Sequence, residues 1–303
     1  MRPQVDIILI NWNCGEQTMA AVAPYLNCQS SILDCRIIVV DNASTDKSSD
    51  LFAGRIGHII YNQANLGFGK ACNQAFAQSN ADYILLLNPD TISDLSVLET
   101  LVQFLESHQN YAVAGPQQHD EEGRILKTCC RFPNFKSSFF ELLGFNKLFP
   151  KTFTPSLIMT DWDHLQSRDV DHIMGSYMLI RKSVINEVGF MDDDYFMYLE
   201  DVDLSKRISN AGYKSYFMSG TSIFHEGGGS GGKFASKRLS YSLTSRKIYW
   251  EKHFGKAQAF ILVCVSIFIE PILRVVDSLI KEKKSGLKKI AQAYYLYVKK
   301  IFI

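Results

Sequence analysis

The sequence predicts an α/β fold with a mostly parallel central sheet flanked by helices. Apolar runs of strand length alternate with stretches of helical periodicity, and this alternation is typical of right-handed βαβ units. Several of the runs are continuously apolar, as are strands that are buried on both faces of a parallel sheet. With 303 residues, 47% of them hydrophobic and 21% charged, the chain is long enough to bury a large core.

Strands and helices alternate through the first 118 residues. The predicted strands are VDIILIN, CRIIVVDN, IGHIIYN, ADYILLLNPD and YAVAGPQQ. The predicted helices lie over Glu16–Leu26, in STDKSSDLFA with Ser44 or Thr45 as N-cap, in NLGFGKACNQAFAQSN and in SDLSVLETLVQFLESHQ. Ligands of such sheets bind beyond the carboxyl ends of the strands. The polar residues predicted there are Asn11, Asp41, Asn42, Asn88 and Asp90.

The second half of the chain is predicted to leave the sheet and return to it. Residues 120–165 are irregular and rich in Phe and Pro, so we expect a long excursion there. The stretch DHIMGSYMLIRKSVINEVG predicts a strand and a helix, YLEDVDLSKRISNAG a helix that ends at Gly212, and KSYFMSGTSIFH another strand. From about Lys233 onward the chain is predicted to be helical and basic.

The first strand is not followed by a common nucleotide-binding pattern. No GxGxxG follows the first strand and no GxxxxGK[ST] is found, so neither a dinucleotide site nor a P-loop is predicted. Asp90, which follows an apolar strand and a proline, would offer a carboxylate to a hard divalent cation that carries a diphosphate. Asn-Pro-Asp is also common turn chemistry, and the residues alone leave both interpretations open.

Three carboxylates and a histidine form a second group of candidates. Glu200, Asp201 and Asp203 follow an apolar run, and His225 precedes three glycines. A carboxylate among apolar side chains is a candidate general base. Equally, Glu200 and Asp203 could cap and solvate a helix terminus, and His225 taken alone could be a structural histidine.

The order of the motifs is more specific than any single motif. The stretches IILINWN, IIVVDNASTD, NQANLGFGKACNQAF, LLLNPD, GSYMLIRKSVINEVGFMDDDYFMYLEDVDLSKRISNAGY and FHEGGGS occur in this order. Over residues 4–254 the chain resembles the family 2 inverting glycosyltransferases, and within them the bacterial rhamnosyltransferase-like branch. The resemblance implies a GT-A fold, a nucleotide-sugar donor and a divalent cation, Mg²⁺ or Mn²⁺.

The resemblance also implies which residues contact the donor. Asp41 matches the acid that contacts the donor's base. Asn88 and Asp90 match the ends of the family's Asp-x-Asp signature, with asparagine in place of the first acid. Lys233 and Arg238, which follow the glycine loop, are candidates for the phosphates. The other residues predicted to contact the donor are Asn11, Asn65, Gly67 and Asn73.

The chemistry follows from the same resemblance. Asp201 matches the general base, with Glu200 in support, and His225 matches a late ligand to the metal or the diphosphate, beside Asp90. An inverting transfer is one in-line displacement, so it needs a base for the acceptor hydroxyl and a cation for the leaving diphosphate. Apolar neighbours such as Phe196 are expected to raise the pKa of the base.

Charge is distributed unevenly along the chain. Residues 1–232 carry 17 Lys and Arg against 27 Asp and Glu, whereas residues 233–303 carry 15 against 4. Such asymmetry indicates a basic tail that meets an anionic partner. The predicted domains are a GT-A domain over 1–256, with a nucleotide-binding half over 1–118 and an acceptor-binding half over 119–256, and an amphipathic helical tail over 257–303.

The tail is predicted to bind an anionic membrane surface. Glu270 and Pro271 interrupt its longest apolar run, which then becomes too short to span a bilayer. Its last helix carries lysines beside an apolar stripe, which suits an anionic bilayer and equally a contact with its own domain or another subunit. The stripe comprises Leu287, Ile290, Ala291, Tyr294, Tyr297, Val298 and Ile301. Since its aromatic residues share the stripe with aliphatic ones, no nucleic-acid partner is expected.

The sequence therefore predicts an inverting, metal-dependent glycosyltransferase on the cytoplasmic face of the cell membrane. Its donor is a dTDP- or UDP-sugar, first of all dTDP-rhamnose, and its acceptor is a saccharide, free or lipid-linked, in cell-surface polysaccharide synthesis. The N-terminus lacks a signal-peptide layout and the seven cysteines form no metal or disulfide pattern, as in a cytoplasmic protein. The rival is a non-catalytic sugar-nucleotide-binding or scaffold protein with a decayed site, favoured by Asn88 alone.

Overall fold

Two compact units divide the chain. The computed structural model describes residues 1–227, 234–280 and 285–302. Unit 1 comprises Met1–Cys130, Trp162–Asp193 and Asp201–Gly229, and unit 2 comprises Arg131–Asp161, Asp194–Glu200 and Ser230–Ile303. This division differs from the predicted boundary at residue 256, because the excursion after residue 130 and the helix after Phe234 group with the C-terminal helices.

The secondary structure follows the predicted alternation. The strands are β1 (Gln4–Asn11), β2 (Asp34–Asp41), β3 (His58–Tyr61), β4 (Tyr83–Leu87), β5 (Thr91–Ile92), β6 (Tyr111–His119), β7 (Cys129–Cys130), β8 (Arg168–Val170), β9 (His172–Ile173), β10 (Tyr177–Arg181) and β11 (Lys214–His225). The helices are α1 (Gly15–Val22), α2 (Ser48–Phe52), α3 (Phe68–Phe76), α4 (Leu95–Ser107), α5 (Phe135–Leu142), α6 (Phe145–Leu148), α7 (Lys182–Val188), α8 (Glu200–Asn210), α9 (Ala235–Phe254), α10 (Lys256–Phe268), α11 (Glu270–Ile280) and α12 (Ser285–Phe302). The expected N-cap of α2 at Ser44 or Thr45 is wrong, because α2 begins after Lys47.

The central sheet has the strand order β3-β2-β1-β4-β10-β6-β11-β5, with β8 beside β11. The first four of these strands are mutually parallel, and the predicted α/β class is confirmed. β10 runs antiparallel to β4 and β6, so the sheet is mixed beyond this point. The carboxyl ends of β1, β2 and β4 meet at one edge, called here the carboxyl edge, where Asn11 pairs with Asp41 in register.

The core of unit 1 lies between this sheet and its helices. β4 is buried along its whole length, as its uninterrupted apolar sequence requires. α4 turns Leu98, Leu101 and Leu105 toward the same core. Each fully buried leucine contributes about 2 kcal/mol of hydrophobic stabilisation. The packing of α4 therefore stabilises the sheet that carries the carboxyl edge.

Unit 2 is built on the long helix α9, against which α10 and α12 pack. The apolar stripe of α12 lies in this contact. Tyr294 and Tyr297 are buried with Leu243 of α9, and Ile290 and Ile301 pack against them. The prediction that this stripe faces a membrane is therefore wrong, and the alternative that it contacts its own domain is the one observed.

Glu270 is buried in unit 2 between two arginines. Its carboxylate is 2.6 Å from Arg246 of α9 and 2.7 Å from Arg274 one turn along α11. Burial alone would raise the pKa of Glu270, but the two guanidinium groups lower it to about 2. The charge that was expected to interrupt the apolar run is thus compensated inside the unit.

The apolar run continues through α10 and α11. By length and composition Lys256–Ile280 is long and apolar enough to cross a membrane, and 33% of its apolar window is buried. The expectation that Glu270 and Pro271 leave this run too short is therefore wrong on length, because the helix resumes at once after the turn at Ile269.

Candidate active site

Asp90 and His225 form a pair at the carboxyl edge. β11 ends beside Asp90, because Thr91 of β5 pairs with His225 and the Glu226 N–H donates to the Asp90 carbonyl over 3.0 Å. His225 Nε2 consequently lies 3.3 Å from Asp90 Oδ1, with 13% and 19% of the two side chains exposed. The structure thus brings the two predicted metal residues together.

The other ring nitrogen of His225 contacts Gln118, which is fully buried on β6. Nδ1 is 2.8 Å from the side-chain oxygen Oε1 of Gln118. A carbonyl oxygen can only accept, so Nδ1 carries the proton of the neutral ring and Nε2 keeps a lone pair. Because this lone pair faces the Asp90 carboxylate, a cation between the two groups is favoured.

The donor set at this pair fits a hard divalent cation. Carboxylate oxygens suit both Mg²⁺ and Mn²⁺, and adjacent ligands of an octahedral ion lie about 3 Å apart. The spacing of 3.3 Å between the two side chains is close to that value. Within the described ranges 1–227, 234–280 and 285–302, no group of three His, Cys, Asp or Glu side chains could hold a metal. A cation held by Asp90 and His225 would have coordination positions left for other ligands, such as diphosphate oxygens.

Asp201 lies in the first turn of α8, with its carboxylate held by three groups. Oδ2 accepts from the Gly175 N–H over 3.0 Å and lies 3.4 Å from Nε2 of His172. Oδ1 accepts from the Val202 N–H over 2.9 Å. The side chain is 19% exposed, so the carboxylate is only partly shielded from solvent.

The pKa of Asp201 lies below its ordinary value, not above it as predicted. Burial raises the pKa of this carboxyl, but the His172 ring and the N–H groups of Gly175 and Val202 outweigh burial. A position at a helix N-terminus also favours the charged form. The expected apolar activation of the base is therefore wrong, and Asp201 is ionised at neutral pH.

Two adjacent residues, Gly175 and Ser176, connect Asp201 to the Asp90–His225 pair. Gly175 donates its N–H to Asp201, and a side chain here would place Cβ 3.3 Å from Oδ2, so the absence of Cβ permits the close approach. Ser176 accepts a hydrogen bond from Gln118 over 2.9 Å, and its carbonyl accepts from the Asn88 N–H over 2.9 Å. The link Gly175–Ser176 thus runs from Asp201 to the residue that orients His225.

The acids on either side of Asp201 are buried. Glu200 is 5% exposed. Asp203 is fully buried 2.9 Å from Arg207, which also donates to the carbonyls of the loop before α8. Asp203 therefore anchors that loop, and the expectation that it is solvated is wrong. Tyr198 and Leu199, just before the helix, both have positive φ, at 74° and 66°. Such strain in bulky residues is concentrated at functional sites.

Asp41 lies at the carboxyl end of β2 and is held from both sides. Oδ1 accepts from Asn11 over 2.7 Å and Oδ2 from the Ser44 N–H over 3.2 Å. Asn11 is fully buried, and its own oxygen accepts from Thr18 over 2.9 Å. The structure thus gives Asn11 the role of orienting Asp41, and contact of either residue with the donor stays a prediction.

The loop that carries Asn65 and Gly67, which are predicted to contact the donor, is held by a further residue, Asn42. Its amide donates to Asn65 and to the Gly67 carbonyl over 3.0 and 3.1 Å. Gly67, with φ 89°, begins α3 in a conformation that favours glycine. Asn73 donates to Asp193 over 2.7 Å and so ties α3 to the loop after α7.

Three predicted donor residues remain: Asn88, Arg238 and Lys233. Asn88 follows β4 and belongs to unit 1, as do all the donor residues named so far. Arg238 lies on α9 in unit 2. Lys233 lies outside the described residues, so its predicted phosphate contact stays a prediction.

A model of the family described as "Glycosyl transferase family 2" matches residues 6–189. The chain belongs to this family. It is a glycosyltransferase, as its motif order predicted. The rhamnosyltransferase WbbL of Escherichia coli K12 is 31% identical over 223 residues, which cover 69% of this chain and 80% of that protein. The N-acetylglucosaminyl-diphospho-decaprenol L-rhamnosyltransferase of Mycobacterium tuberculosis is 25% identical over 234 residues, which cover 72% and 76%.

Solved structures agree on the fold of this glycosyltransferase. The mannosyltransferase PcManGT of Pyrobaculum calidifontis, in complex with GDP-Man and Mn²⁺, has a TM-score of 0.57 at 11% identity and covers 100% of this chain and 88% of its own. GalNAc-T7 with UDP, GalNAc and Mn²⁺ has a TM-score of 0.55 at 13% identity and covers 84% and 51%. The predicted GT-A-like fold is confirmed.

Sequence reasoning did not find three residues that contact the candidate site residues. His172, Gln118 and Ser176 bond to predicted residues but were not themselves predicted as site residues. The sequence offered one signal for two of them. His172 and Ser176 lie within three residues of Gly175, where a stretch of the family motif begins. Gln118 offered none, because a glutamine in a strand is ordinarily a surface residue.

Proposed function

We propose that this glycosyltransferase transfers a sugar from a nucleotide diphosphate to a saccharide acceptor with inversion of configuration, and that Mg²⁺ or Mn²⁺ binds at Asp90 and His225. One observation carries the proposal. The link Gly175–Ser176 holds an ionised carboxylate and a carboxylate–imidazole pair on one sheet edge. An inverting displacement needs a base for the acceptor hydroxyl and a cation site for the leaving diphosphate, and these two groups would supply them.

Asp201 accepts the proton of the acceptor hydroxyl in the proposed reaction. The hydroxyl oxygen bonds to the anomeric carbon on the face opposite the diphosphate, and the electron pair of the broken C–O bond goes to the diphosphate. A bound divalent cation supplies positive charge that neutralises the leaving group. Asp90 and His225 hold that cation, and Asp41 is positioned for the donor's base.

The proposed donor is dTDP-rhamnose, and the proposed acceptor is a lipid diphosphate that carries N-acetylglucosamine. Two relatives are named rhamnosyltransferases, and the name of one specifies this kind of acceptor. Two proteins of similar fold carry Mn²⁺ and a nucleotide or nucleotide sugar in their crystals. These relatives support a role in cell-surface polysaccharide synthesis.

A panel of nucleotide sugars tests this function in the full chain. dTDP-rhamnose, UDP-N-acetylglucosamine and GDP-mannose are each supplied with a short-chain N-acetylglucosaminyl diphospho-lipid, in Mn²⁺, Mg²⁺ or EDTA. We expect rhamnose transfer in metal, loss of transfer in EDTA, and a product anomer opposite to that of the donor by NMR. Retained configuration or full activity in EDTA would contradict the proposal. Tight donor binding with no transfer to any acceptor would favour the non-catalytic rival.

We further propose that unit 2 binds an anionic bilayer through α10 and α11. Large apolar side chains are exposed along this segment, including Phe260, Phe268 and Ile272, each more than 60% exposed. In the sequence the segment lies between Lys256 and a run containing Lys281, Lys283 and Lys284. Exposed apolar side chains bordered by lysines suit the interface of an anionic membrane.

Liposome sedimentation tests the membrane proposal with point substitutions, because a truncation at α10 would cut into unit 2. We expect the full chain to pellet with anionic vesicles and less with neutral ones. Phe268→Ser with Ile272→Ser should abolish pelleting, whereas Tyr61→Ser, at an exposed aromatic of unit 1, should not. The double variant could instead pellet like the wild type but lose a dimer that light scattering detects in the wild type. The exposed face of α10 and α11 would then bind a second copy of the chain and not a membrane.

A further inference from the structure

We propose that His172 is a positioning residue for Asp201, which it holds so that Oδ1 faces the acceptor hydroxyl. The inference rests on the proposed function, in which Asp201 is the base. His172 lies on β9, where its neighbour Cys130 on β7 fixes the backbone. Its side chain is 1% exposed, and its Nε2 lies 3.4 Å from Asp201 Oδ2. This separation is long for a hydrogen bond, and such contacts often tighten when substrate binds.

Both ring nitrogens of His172 face side chains of one helix, α8. Nδ1 is 2.9 Å from the hydroxyl of Ser205, and Nε2 faces Asp201. Asp201 and Ser205 are four residues apart on α8, so they lie on the same face of the helix. The orientation of the ring is therefore fixed relative to the helix that carries the base.

The tautomer of His172 follows from these partners. An ionised carboxylate can only accept, so a neutral ring beside Asp201 is favourable only with its proton on Nε2. Nδ1 then needs a donor, and the hydroxyl of Ser205 can donate. In this tautomer Nδ1 accepts from Ser205, and the Nε2–H is available to Oδ2 across the 3.4 Å separation.

This arrangement makes the two oxygens of Asp201 different. Oδ2 meets two donors, the Gly175 N–H and His172, whereas Oδ1 meets the Val202 N–H. Each carboxylate oxygen has two lone pairs, so among the described contacts Oδ1 keeps one for a substrate. In the transfer the acceptor proton moves to Oδ1, the acceptor oxygen bonds to the anomeric carbon, and the diphosphate leaves with its electron pair. His172 neither gains nor loses a proton.

A direct test measures the pKa of the Asp201 carboxyl by ¹³C NMR on the full chain, with its signal assigned by Asp201→Asn. The variant His172→Phe keeps a ring in the cavity and removes both nitrogens. We expect the pKa of Asp201 to rise by roughly one unit or more in this variant, the usual effect of losing a charged or donating neighbour. An unchanged pKa in folded His172→Phe would overturn the proposal.

His164→Phe is the matched control. His164 is as buried as His172 and belongs to the same unit, but it contacts the Cys129 N–H and stacks on Trp162. We expect the pKa of Asp201 to be unchanged in this variant, and an equal rise there would mean that core damage, not contact, sets the value. If His172→Phe does not fold, His172→Gln and Ser205→Ala take its place. Each should give a smaller rise, and no rise in either would overturn the proposal.

Kinetics separate this inference from the proposed function. In His172→Phe the kcat for rhamnose transfer should fall between roughly 10- and 100-fold, the scale of a misplaced catalytic group, while KM for dTDP-rhamnose stays the same. His172→Gln, which keeps a donor, should recover most of the loss. A wild-type protein that transfers no sugar contradicts the function. An active wild type whose His172→Phe variant is equally active contradicts the inference alone.

Discussion

The Asp90–His225 and Asp201–His172 pairs have almost the same spacing but hold their rings in opposite ways. The nitrogen–oxygen distances are 3.3 and 3.4 Å. Behind His225 is a carbonyl oxygen of Gln118, which can only accept, so a lone pair is turned toward Asp90. Behind His172 is the hydroxyl of Ser205, which can donate, so an N–H is turned toward Asp201.

The difference shows that the group behind the ring decides what an aspartate–histidine pair can do. Two facing lone pairs favour a shared cation, whereas a donated N–H fixes an ionised carboxylate and leaves its other oxygen for a proton. The histidines differ in exposure as well, at 13% for His225 and 1% for His172. His225 is therefore accessible to a ligand, and under the proposal His172 acts through its aspartate.

The largest effect should come from removing the charge of the base. Asp201→Asn keeps the shape of the side chain but cannot accept a proton, so transfer should fall by roughly 100-fold or more. Affinity for dTDP-rhamnose with Mn²⁺, measured by calorimetry, should be unchanged. Asp169→Asn, at an exposed ion pair of β8, is the control and should transfer normally. Near-normal transfer by Asp201→Asn would place the base elsewhere.

A smaller effect is expected from the residue behind His225. Gln118→Leu removes the acceptor that orients the ring, so affinity for Mn²⁺ in the presence of dTDP should fall about 10- to 100-fold. Electron paramagnetic resonance of free Mn²⁺ measures this without any turnover. Gln117→Leu is matched in strand and burial, but its side chain donates to His164, and it should bind Mn²⁺ normally. Equal losses in both variants would mean that damage to β6 is responsible.

The link between the pairs should give an intermediate loss of rate with intact metal binding. Gly175→Ala places a Cβ 3.3 Å from Asp201 Oδ2, so the carboxylate must move by a few tenths of an ångström. Transfer should fall several-fold, on the order of 1 kcal/mol in the barrier, while Mn²⁺ affinity is retained. If Gly175→Ala instead transfers sugar normally but binds Mn²⁺ weakly, the link supports the metal pair and not the base, which would contradict this prediction.

The smallest and most specific difference is expected in the response to pH. Because the pKa of Asp201 lies below its ordinary value, the base stays ionised through mildly acidic pH and its charge is lost only below its usual range. The kcat of transfer at saturating Mn²⁺ and dTDP-rhamnose should therefore change little between pH 7.5 and pH 5.5. A steep fall in kcat over this range, together with protonation of Asp201 seen by ¹³C NMR, would contradict this expectation.

The sequence predicted the features that depend on local order along the chain. Apolar runs ending in polar residues placed Asp41 and Asp90 at strand ends, and the position of Asp201 followed from its motif. The orientation of each histidine depends instead on residues far away in sequence. Gln118 is 107 residues from His225, and Ser205 is 33 from His172. No periodicity or local propensity encodes such contacts.

The C-terminal tail also shows that sequence patterns do not reveal contacts between distant residues. Helical periodicity found the apolar stripe of α12, but periodicity does not say what covers a stripe. The structure places Tyr294 and Tyr297 against α9, and the exposed apolar residues lie on α10 and α11. Glu270 misled the prediction because Arg246, its partner on α9, is 24 residues away, although Arg274 lies one helical turn along α11.

The two-residue link has a consequence for how this site can change by mutation. Substitutions at Gln118 and at His172 reach each other through Gly175 and Ser176, so their combined cost will differ from the sum of their separate costs. A library that varies one position at a time would miss combinations in which both sides move together. Double variants at these two positions should therefore have transfer rates that the single variants do not predict.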